Sequence, residues 1–282
     1  MQTYTTFRYI DHTEVEVLND VKNTAMTSFA IDDALTTAVS ERTSPPILRL
    51  WLHPATVVLG IPDTRLPYIH DGVKWLKQNG YHVIVRNSGG LAVALDRGVL
   101  NMSLILPNIK KLSIEDGYNK MFHFIKRMLQ DLTTNIKAYE IAGSYCPGDY
   151  DLSVEGVKFA GISQRRIRDA TAIQIYLDVN GRSKERATLV RDFYKVSKKG
   201  EKTSFTYPTV NPDVLSSLQE ILKQPITVTH VKQKAQKTLA SLCKHIVHQP
   251  YLTTQEMKTF YKRYEQMIKR NRKLSLLNTS HR

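Results

Sequence analysis

Two cysteines in 282 residues, Cys146 and Cys243, are too few for a disulfide framework. Glycine (13) and proline (11) are sparse, which argues against disorder, and no low-complexity tract is present. No apolar run approaches the ~18 residues of a membrane helix. The start, MQTYTTFRYIDHTEVE, has no basic segment leading into an apolar one. Asp11, Glu14 and Glu16 interrupt it, so a secretory signal is not expected. A reducing cytoplasm is the expected compartment, with both thiols free. Acidic residues are outnumbered, 26 against 40 Lys+Arg, a net charge of +14. Such a balance suits acidic partners, nucleic acid among them, or simply a solvated basic surface.

What is present is 41% hydrophobic residues, enough for a sizeable core, with no internal repeat. Residues 28–41 read as a helix packing Phe29, Ala30 and Leu35. Residues 48–53 and 56–60 read as strands around Pro54. The spacing of Ile69, Val73 and Leu76 predicts a helix over 65–79, closed by Gly80. Strands are expected at 81–86, 91–95 and 100–106. Ser113-Ile-Glu-Asp opens a further helix with a capping-box pattern. A hairpin is expected with Glu155-Gly156 as its turn, followed by a strand over 172–179. Helices are expected near 184–195, 212–223, 228–246 and 253–275. The order is α+β first, then a helical C-terminal part.

Cys146 stands in Gly143-Ser-Tyr-Cys-Pro-Gly-Asp-Tyr. Gly, Pro and Gly around a cysteine mark a tight turn, a poor place for a buried structural thiol. Cys243, in a helical pattern, reads as a packed thiol. Lys158 follows the hairpin turn among Phe159, Ala160 and Ile162. It is either an ordinary strand lysine facing water or a desolvated one able to take a thiol proton or stabilise a thiolate. If Glu155 and Gly156 form the turn, Ser153 pairs with Lys158. Cys146 then lies about 23 Å up a straight strand, so Pro147-Gly148 must fold the chain back for the two to meet. Arg86-Asn-Ser-Gly-Gly-Leu-Ala-Val places glycines between strands, where backbone can approach a ligand. The basic end of Gly161-Ile-Ser-Gln-Arg-Arg-Ile-Arg suits an anion or a solvated hairpin. His53 and His82 are possible acid–base groups that nothing places near Cys146.

Together these segments resemble the lipoate and biotin ligase superfamily. The segments that carry the likeness are Trp51-Leu-His-Pro-Ala-Thr-Val-Val-Leu-Gly, Arg86-Asn-Ser-Gly-Gly-Leu-Ala-Val with Asp96, Gly98, Leu100 and Asn101, and Gly156-Val-Lys-Phe-Ala-Gly-Ile-Ser-Gln-Arg-Arg. Ile61-Pro-Asp-Thr-Arg-Leu-Pro, Gly-Ser-Tyr-Cys-Pro-Gly and Tyr150-Asp-Leu-Ser bring the chain nearest to the octanoyl-transferring amidotransferases of Gram-positive bacteria. The resemblance implies an α+β biotin/lipoate protein ligase fold, with mixed β-sheets flanked by helices and a helical C-terminal part. Residues 1–27 would be a lead-in, 28–248 the catalytic domain and 249–282 a basic helical extension.

The activity implied moves octanoyl, or lipoyl, from a lysine of the glycine-cleavage H protein to lysines of lipoyl domains of 2-oxoacid dehydrogenases. Cys146 would be the acyl-thioester nucleophile. Lys158 would make that thiol easier to ionise, hold the oxyanion and supply a proton. Arg86, Asn87, Ser88, Gly89, Gly90 and Gly161 would bind substrate. No metal or other cofactor is expected, and neither membrane nor nucleic acid is an expected partner. Asn87, Leu91 and Leu95 stand where ATP-dependent lipoate ligases carry Arg, Gly and His, which argues against adenylate chemistry. The alternatives are an octanoyltransferase fed by acyl carrier protein, an ATP-dependent lipoate ligase, and a basic nucleic-acid-binding protein. For the acyl pocket, Leu91, Val93, Ile84 and Phe159 are the expected walls.

Overall fold

The computed structural model describes residues 4–14, 21 and 24–275. Residues 1–3, 15–20, 22–23 and 276–282, parts of the expected lead-in and extension, lie outside the described residues.

Strand β1 (Thr6–His12) is followed by helix α1 (Ala25–Ser40), then β2 (Ile47–Trp51) and β3 (Thr56–Leu59). A short 3-10 turn leads to α2 (Ile69–Gln78), then β4 (His82–Val85), β5 (Val93–Leu95) and β6 (Val99–Pro107). Next come α3 (Ile114–Met128), β7 (Lys137–Ala138), β8 (Asp151–Val154), β9 (Val157–Ile167) and β10 (Ala170–Asp178). The remainder is α4 (Ser183–Lys198), α5 (Leu218–Leu222), α6 (Val228–Ala240), β11 (His245–His248) and α7 (Thr254–Ser275).

Eight strands form one mixed sheet, β11-β1-β2-β6-β10-β9-β8-β7, and three form a second, β4-β3-β5. The expected α+β class is observed. Helix α3 has its capping box: Ser113 Oγ accepts from Asp116 N, and Asp116 Oδ2 accepts from Ser113 N. Helix α2 buries Ile69, Val73 and Leu76 on one face, and Gly80 ends it at φ +83. Glu155 and Gly156 make the hairpin turn, with Ser153 opposite Lys158.

Three differences from the sequence reading have physical causes. Helix α1 starts at Ala25, not Ser28, and is buried almost all round because the large sheet lies on one side and α7 on the other. The segment read as the end of a helix over 228–246 instead leaves the helix at Ala240 and forms β11, which pairs in parallel with β1. Cys243 lies just beyond α6, partly buried, where Sγ donates to Leu239 O at 3.3 Å.

The large sheet is covered on both faces, so its central strands are apolar on both. Leu100, Met102, Leu104 and Leu106 of β6, with Ile173, Ile175 and Leu177 of β10, face one core with Met121, Phe124 and Val231 of α3 and α6. Alternate residues face a second core with α1 and the small sheet. On that second face stand Arg49, Asn101, Ser103 and Gln174, all buried. Asp32 of α1 accounts for three of them. It accepts from Arg49 Nη1 (2.8 Å), Ser103 Oγ (2.6 Å) and Gln174 Nε2 (2.6 Å). A buried polar cluster of this kind is tolerable only because its members bond one another.

Candidate active site

The segment between β7 and β8 makes a tight turn, and Cys146 sits in it with φ +46, a left-handed conformation rare outside glycine. Lys158 holds it there. Its ammonium donates to Ser144 Oγ (3.0 Å), Tyr145 O (2.9 Å) and Cys146 O (3.1 Å), and pairs with Asp151 Oδ1 at 2.8 Å. Lys158 is 1% exposed, so it is not a strand lysine facing water. The chain folds back through Pro147-Gly148 as the geometry requires, and Gly148 O accepts from Asp151 N at 2.9 Å. Burial pushes the Asp151 carboxyl above the usual carboxylate range, against the lowering influence of the Lys158 charge. Asp151 also accepts from Ile141 N (3.2 Å) and Ser144 Oγ (3.3 Å), so both members of this buried pair are well bonded.

The sulfur itself has other donors. Leu91 N donates to Cys146 Sγ at 3.1 Å and Arg86 Nη2 at 3.3 Å. The same Arg86 nitrogen donates to Leu91 O at 2.7 Å, tying guanidinium, loop and thiol together. The sulfur thus faces two N–H donors, one of them charged. Gly90 makes this approach possible: a Cβ there would stand 2.8 Å from Sγ and 2.3 Å from Arg86 Nη2.

The loop has its own support. Asp63 Oδ2 accepts from Gly60 N at 2.8 Å, and a Cβ on Gly60 would fall 1.8 Å from Gly90 O. Asp63 Oδ1 accepts from Tyr194 OH (2.9 Å), whose oxygen accepts from Ala92 N (3.3 Å). Burial lifts the Asp63 carboxyl to about 6, opposed by the Gly60 N–H, the Tyr194 hydroxyl and the Arg86 charge.

A cavity of about 190 Å³ opens at Cys146 and runs between the large sheet, the small sheet and α1. Phe29, Trp51, Val58, Val93, Leu95 and Ile175 give it an apolar lining, and Asn101, Gln174 and Tyr176 add polar groups. Trp51, Asn101, Tyr176 and Gly161 lie on successive strands β2, β6, β10 and β9. A chain attached at Cys146 would therefore cross the sheet, about 4.8 Å per strand. Gly161 keeps the floor open, since a Cβ there would meet Tyr176 Cε1 at 2.8 Å.

Of the residues singled out in the sequence, Arg86, Gly89, Gly90, Gly161 and Cys146 line this cavity. Lys158 lies beneath it, on the backbone that carries Cys146. Asn87 and Ser88 are buried beside Arg86 but do not line it. Their Oδ1 and Oγ have no partner among the described residues. Of the four expected walls only Val93 lines it. Leu91 contributes its backbone N–H to the sulfur, Ile84 faces a separate cavity with His53 and His82, and Phe159 points into the opposite core. Strand alternation is the cause: Phe159 follows Lys158 and so faces the other way. His53 is buried and shares a 2.9 Å hydrogen bond with Ser28 Oγ, away from the thiol. The arginines of the basic run bond internally, Arg165 to Asp33, Arg166 to Leu112 O and Arg168 to Glu41. Sequence reasoning passed over Asp63, Tyr194, Trp51 and Gln174, although Asp63 and Trp51 stood inside the segments that carried the family likeness.

Residues 24–240 match the family model described as the lipoyl protein ligase A/B catalytic domain. A protein of Oceanobacillus iheyensis named octanoyl-[GcvH]:protein N-octanoyltransferase is 56% identical over 266 residues, 94% of this chain and 95% of that protein. A Listeria monocytogenes protein named lipoyl-[GcvH]:protein N-lipoyltransferase is 45% identical over 269 residues, 95% of each chain. Among solved structures, lipoate-protein ligase A bound with ATP superposes with a TM-score of 0.69 at 15% identity, covering 93% of this chain and 94% of that one. Plasmodium falciparum LipL1 in complex with lipoate gives 0.60 at 16% identity, covering 93% and 71%.

Proposed function

The chain belongs to the lipoyl protein ligase A/B catalytic-domain family, and on that premise we propose that it is an amidotransferase of protein lipoylation. It takes octanoyl from a lysine of the glycine-cleavage H protein and gives it to a lysine of lipoyl domains of 2-oxoacid dehydrogenases, in the cytoplasm. The observation that carries this reading is a thiol with two N–H donors at the opening of an apolar cavity.

The Cys146 thiolate attacks the octanoyl carbonyl. A C–S bond forms, the C–N bond breaks, and the departing lysine amine takes the proton that the Cys146 thiol gave up in becoming a thiolate. The amine of a second lysine attacks the thioester and re-forms an amide, and the proton it sheds returns to the released thiolate. One amide replaces another, so the net free-energy change is near zero and no ATP is consumed. Making the thioester is the uphill half. Burying the octanoyl chain, at ~0.8 kcal/mol per CH₂, contributes several kcal/mol towards it.

Arg86 and Leu91 N–H, which already meet the sulfur, stabilise negative charge at the reacting centre. Lys158 acts on the thiol through the backbone of Ser144–Cys146. For it to protonate the departing amine, its ammonium must leave one of its four acceptors. For Asn87 Oδ1 and Ser88 Oγ to accept from a substrate amide, the loop after β4 must move, since both atoms are buried off the cavity.

The test is intact mass after mixing with octanoylated H protein, without ATP, beside Cys146→Ala. The expected result is an octanoyl adduct on the wild type alone, labile to hydroxylamine. An adduct formed only from octanoyl-acyl carrier protein moves the donor assignment. No adduct from any donor ends the cysteine mechanism.

A further inference from the structure

Strand β4 is an outer strand of the small sheet, and its last residue, Val85, directly precedes Arg86. On its inner side β4 pairs with β3. On its outer side no strand follows among the described residues, yet both backbone groups of Val85 are satisfied. Val85 N donates to Asn271 Oδ1 at 2.6 Å, and Asn271 Nδ2 donates to Val85 O at 3.1 Å. One carboxamide on α7 thus reproduces the two-point pairing a neighbouring strand would supply. A third bond, from Asn271 Nδ2 to Met267 O at 2.9 Å, fixes which way the amide faces.

Helix α7 is itself firmly held. At its start Glu256 accepts from Arg8 Nη1 at 2.6 Å, with both side chains buried, and Glu256 Oε2 accepts from Thr253 N at 2.8 Å. Phe260 and Met267 are buried in the core that contains α1 and the small sheet. The helix is therefore a strut from β1 to the end of β4. What it supports there is the backbone from which Arg86 reaches Cys146 Sγ and Leu91 O. The Arg86 backbone has one further anchor, its N–H to Leu59 O at 2.9 Å.

We propose that Asn271 is a positioning residue that sets Arg86 against the Cys146 sulfur, so that α7, within the expected C-terminal extension, is a working part of the active site. The proposal rests on the reading of Cys146 as the nucleophile, but its first readout does not. Releasing both bonds frees the end of β4 on one side. A displacement of about 1 Å at a reacting group lowers rates by up to ~10²-fold.

The experiment compares wild type, Asn271→Ala and Asn271→Asp in the full chain. Asn271→Asp keeps an acceptor for Val85 N–H but sets a carboxylate against Val85 O. Alkylation of Cys146 by iodoacetamide at neutral pH, followed on the Cys146 peptide, is the first readout. Acyl transfer, as kcat and KM separately, is the second. Asn271→Ala is expected to slow alkylation about three- to tenfold and kcat about tenfold or more, with KM nearly unchanged. Asn271→Asp should fall between. In an Arg86→Gln background Asn271→Ala should add less than about twofold, because the group it positions is already gone. Lower Tm with unchanged alkylation and kcat in both variants overturns the proposal, as does a full additive effect in the Arg86→Gln background. Should Cys146→Ala still transfer acyl groups, the proposed function fails, while the alkylation result still reports whether α7 positions Arg86.

Discussion

Replacing Gly90 by alanine should disable the site, whereas the same change at Gly89 should not. Gly90 has φ +101, a region that side chains other than hydrogen enter at a cost of ~1–3 kcal/mol. The added Cβ would also lie 2.3 Å from Arg86 Nη2 and 2.8 Å from Cys146 Sγ. Ordinary contact is about 3.5–4.0 Å, so guanidinium and sulfur must each retreat by about 1 Å. Both donors to the sulfur are then disturbed, since Arg86 is displaced and Leu91 N–H follows directly on Gly90. Loss of one such donor costs ~10²–10³-fold in rate. A Cβ on Gly89 meets nothing within 4 Å, and Gly89 is not among the positive-φ glycines. Single-turnover acylation of Cys146, read by intact mass over time, compares the two. The expected outcome is a loss of ~10²-fold or more for Gly90→Ala and within about threefold for Gly89→Ala. Equal effects at the two positions, or a Gly90→Ala enzyme within about threefold of wild type, refute the reasoning.

Lys158→Met leaves Asp151 buried without its cation and should destabilise the fold by ~3–5 kcal/mol, measured by urea unfolding. A loss below about 1 kcal/mol would contradict the geometry of the pair. Val93→Phe should fill the acyl cavity and slow acylation from octanoyl donors about tenfold more than from butanoyl donors; a uniform loss would place the chain elsewhere. Burial, with the nearby Arg49 and Arg97 charges, lowers His53 to about 3, so below the unfolded value of ~6.5 the unfolded chain binds a proton that the folded one does not. Stability from this group is therefore present at pH 7 and is lost as pH falls through 6.5 towards 3. His53→Asn should reduce the stability difference between pH 7 and pH 5 by roughly 2 kcal/mol, and an unchanged difference would refute the assignment.

Local signals made much of the fold legible. The hairpin at Glu155-Gly156, the capped α3 and the amphipathic α2 each announce themselves within a few residues. Strands β1 and β11 did not, because their pairing joins segments far apart in sequence, Thr6 to His245, and a four-residue parallel strand such as β11 has no local signature. At the site, the thiol, the lysine and the glycine loop were legible by residue type and likeness. Their contacts were not: Lys158 bonds carbonyls while Arg86 takes the sulfur, and only the three-dimensional turn decides between them. Asn101, Ser103 and Gln174 alternate with apolar residues as they would on a strand with one wet face. Here that face lies under α1 and beside the cavity, so the same pattern marks a buried polar site. Asp63 and Tyr194, more than a hundred residues apart, meet at one hydrogen bond that nothing in either neighbourhood foretells.

The position of β1 between β2 and β11 has a consequence for where the chain can be cut. The family match ends at residue 240, yet β11 at His245–His248 covers the outer edge of β1. A fragment stopped at that boundary would still include Cys146 and the residues that line its cavity, but it would lose α7 as well as β11 and leave uncovered a seven-residue strand bearing Phe7, Tyr9 and Ile10. An uncovered strand of that length templates pairing with other chains. In the whole chain β11 is a short edge with a histidine at each end, which invites no such pairing. The residues after the matched region therefore work as a selvedge, protecting the sheet from its own copies.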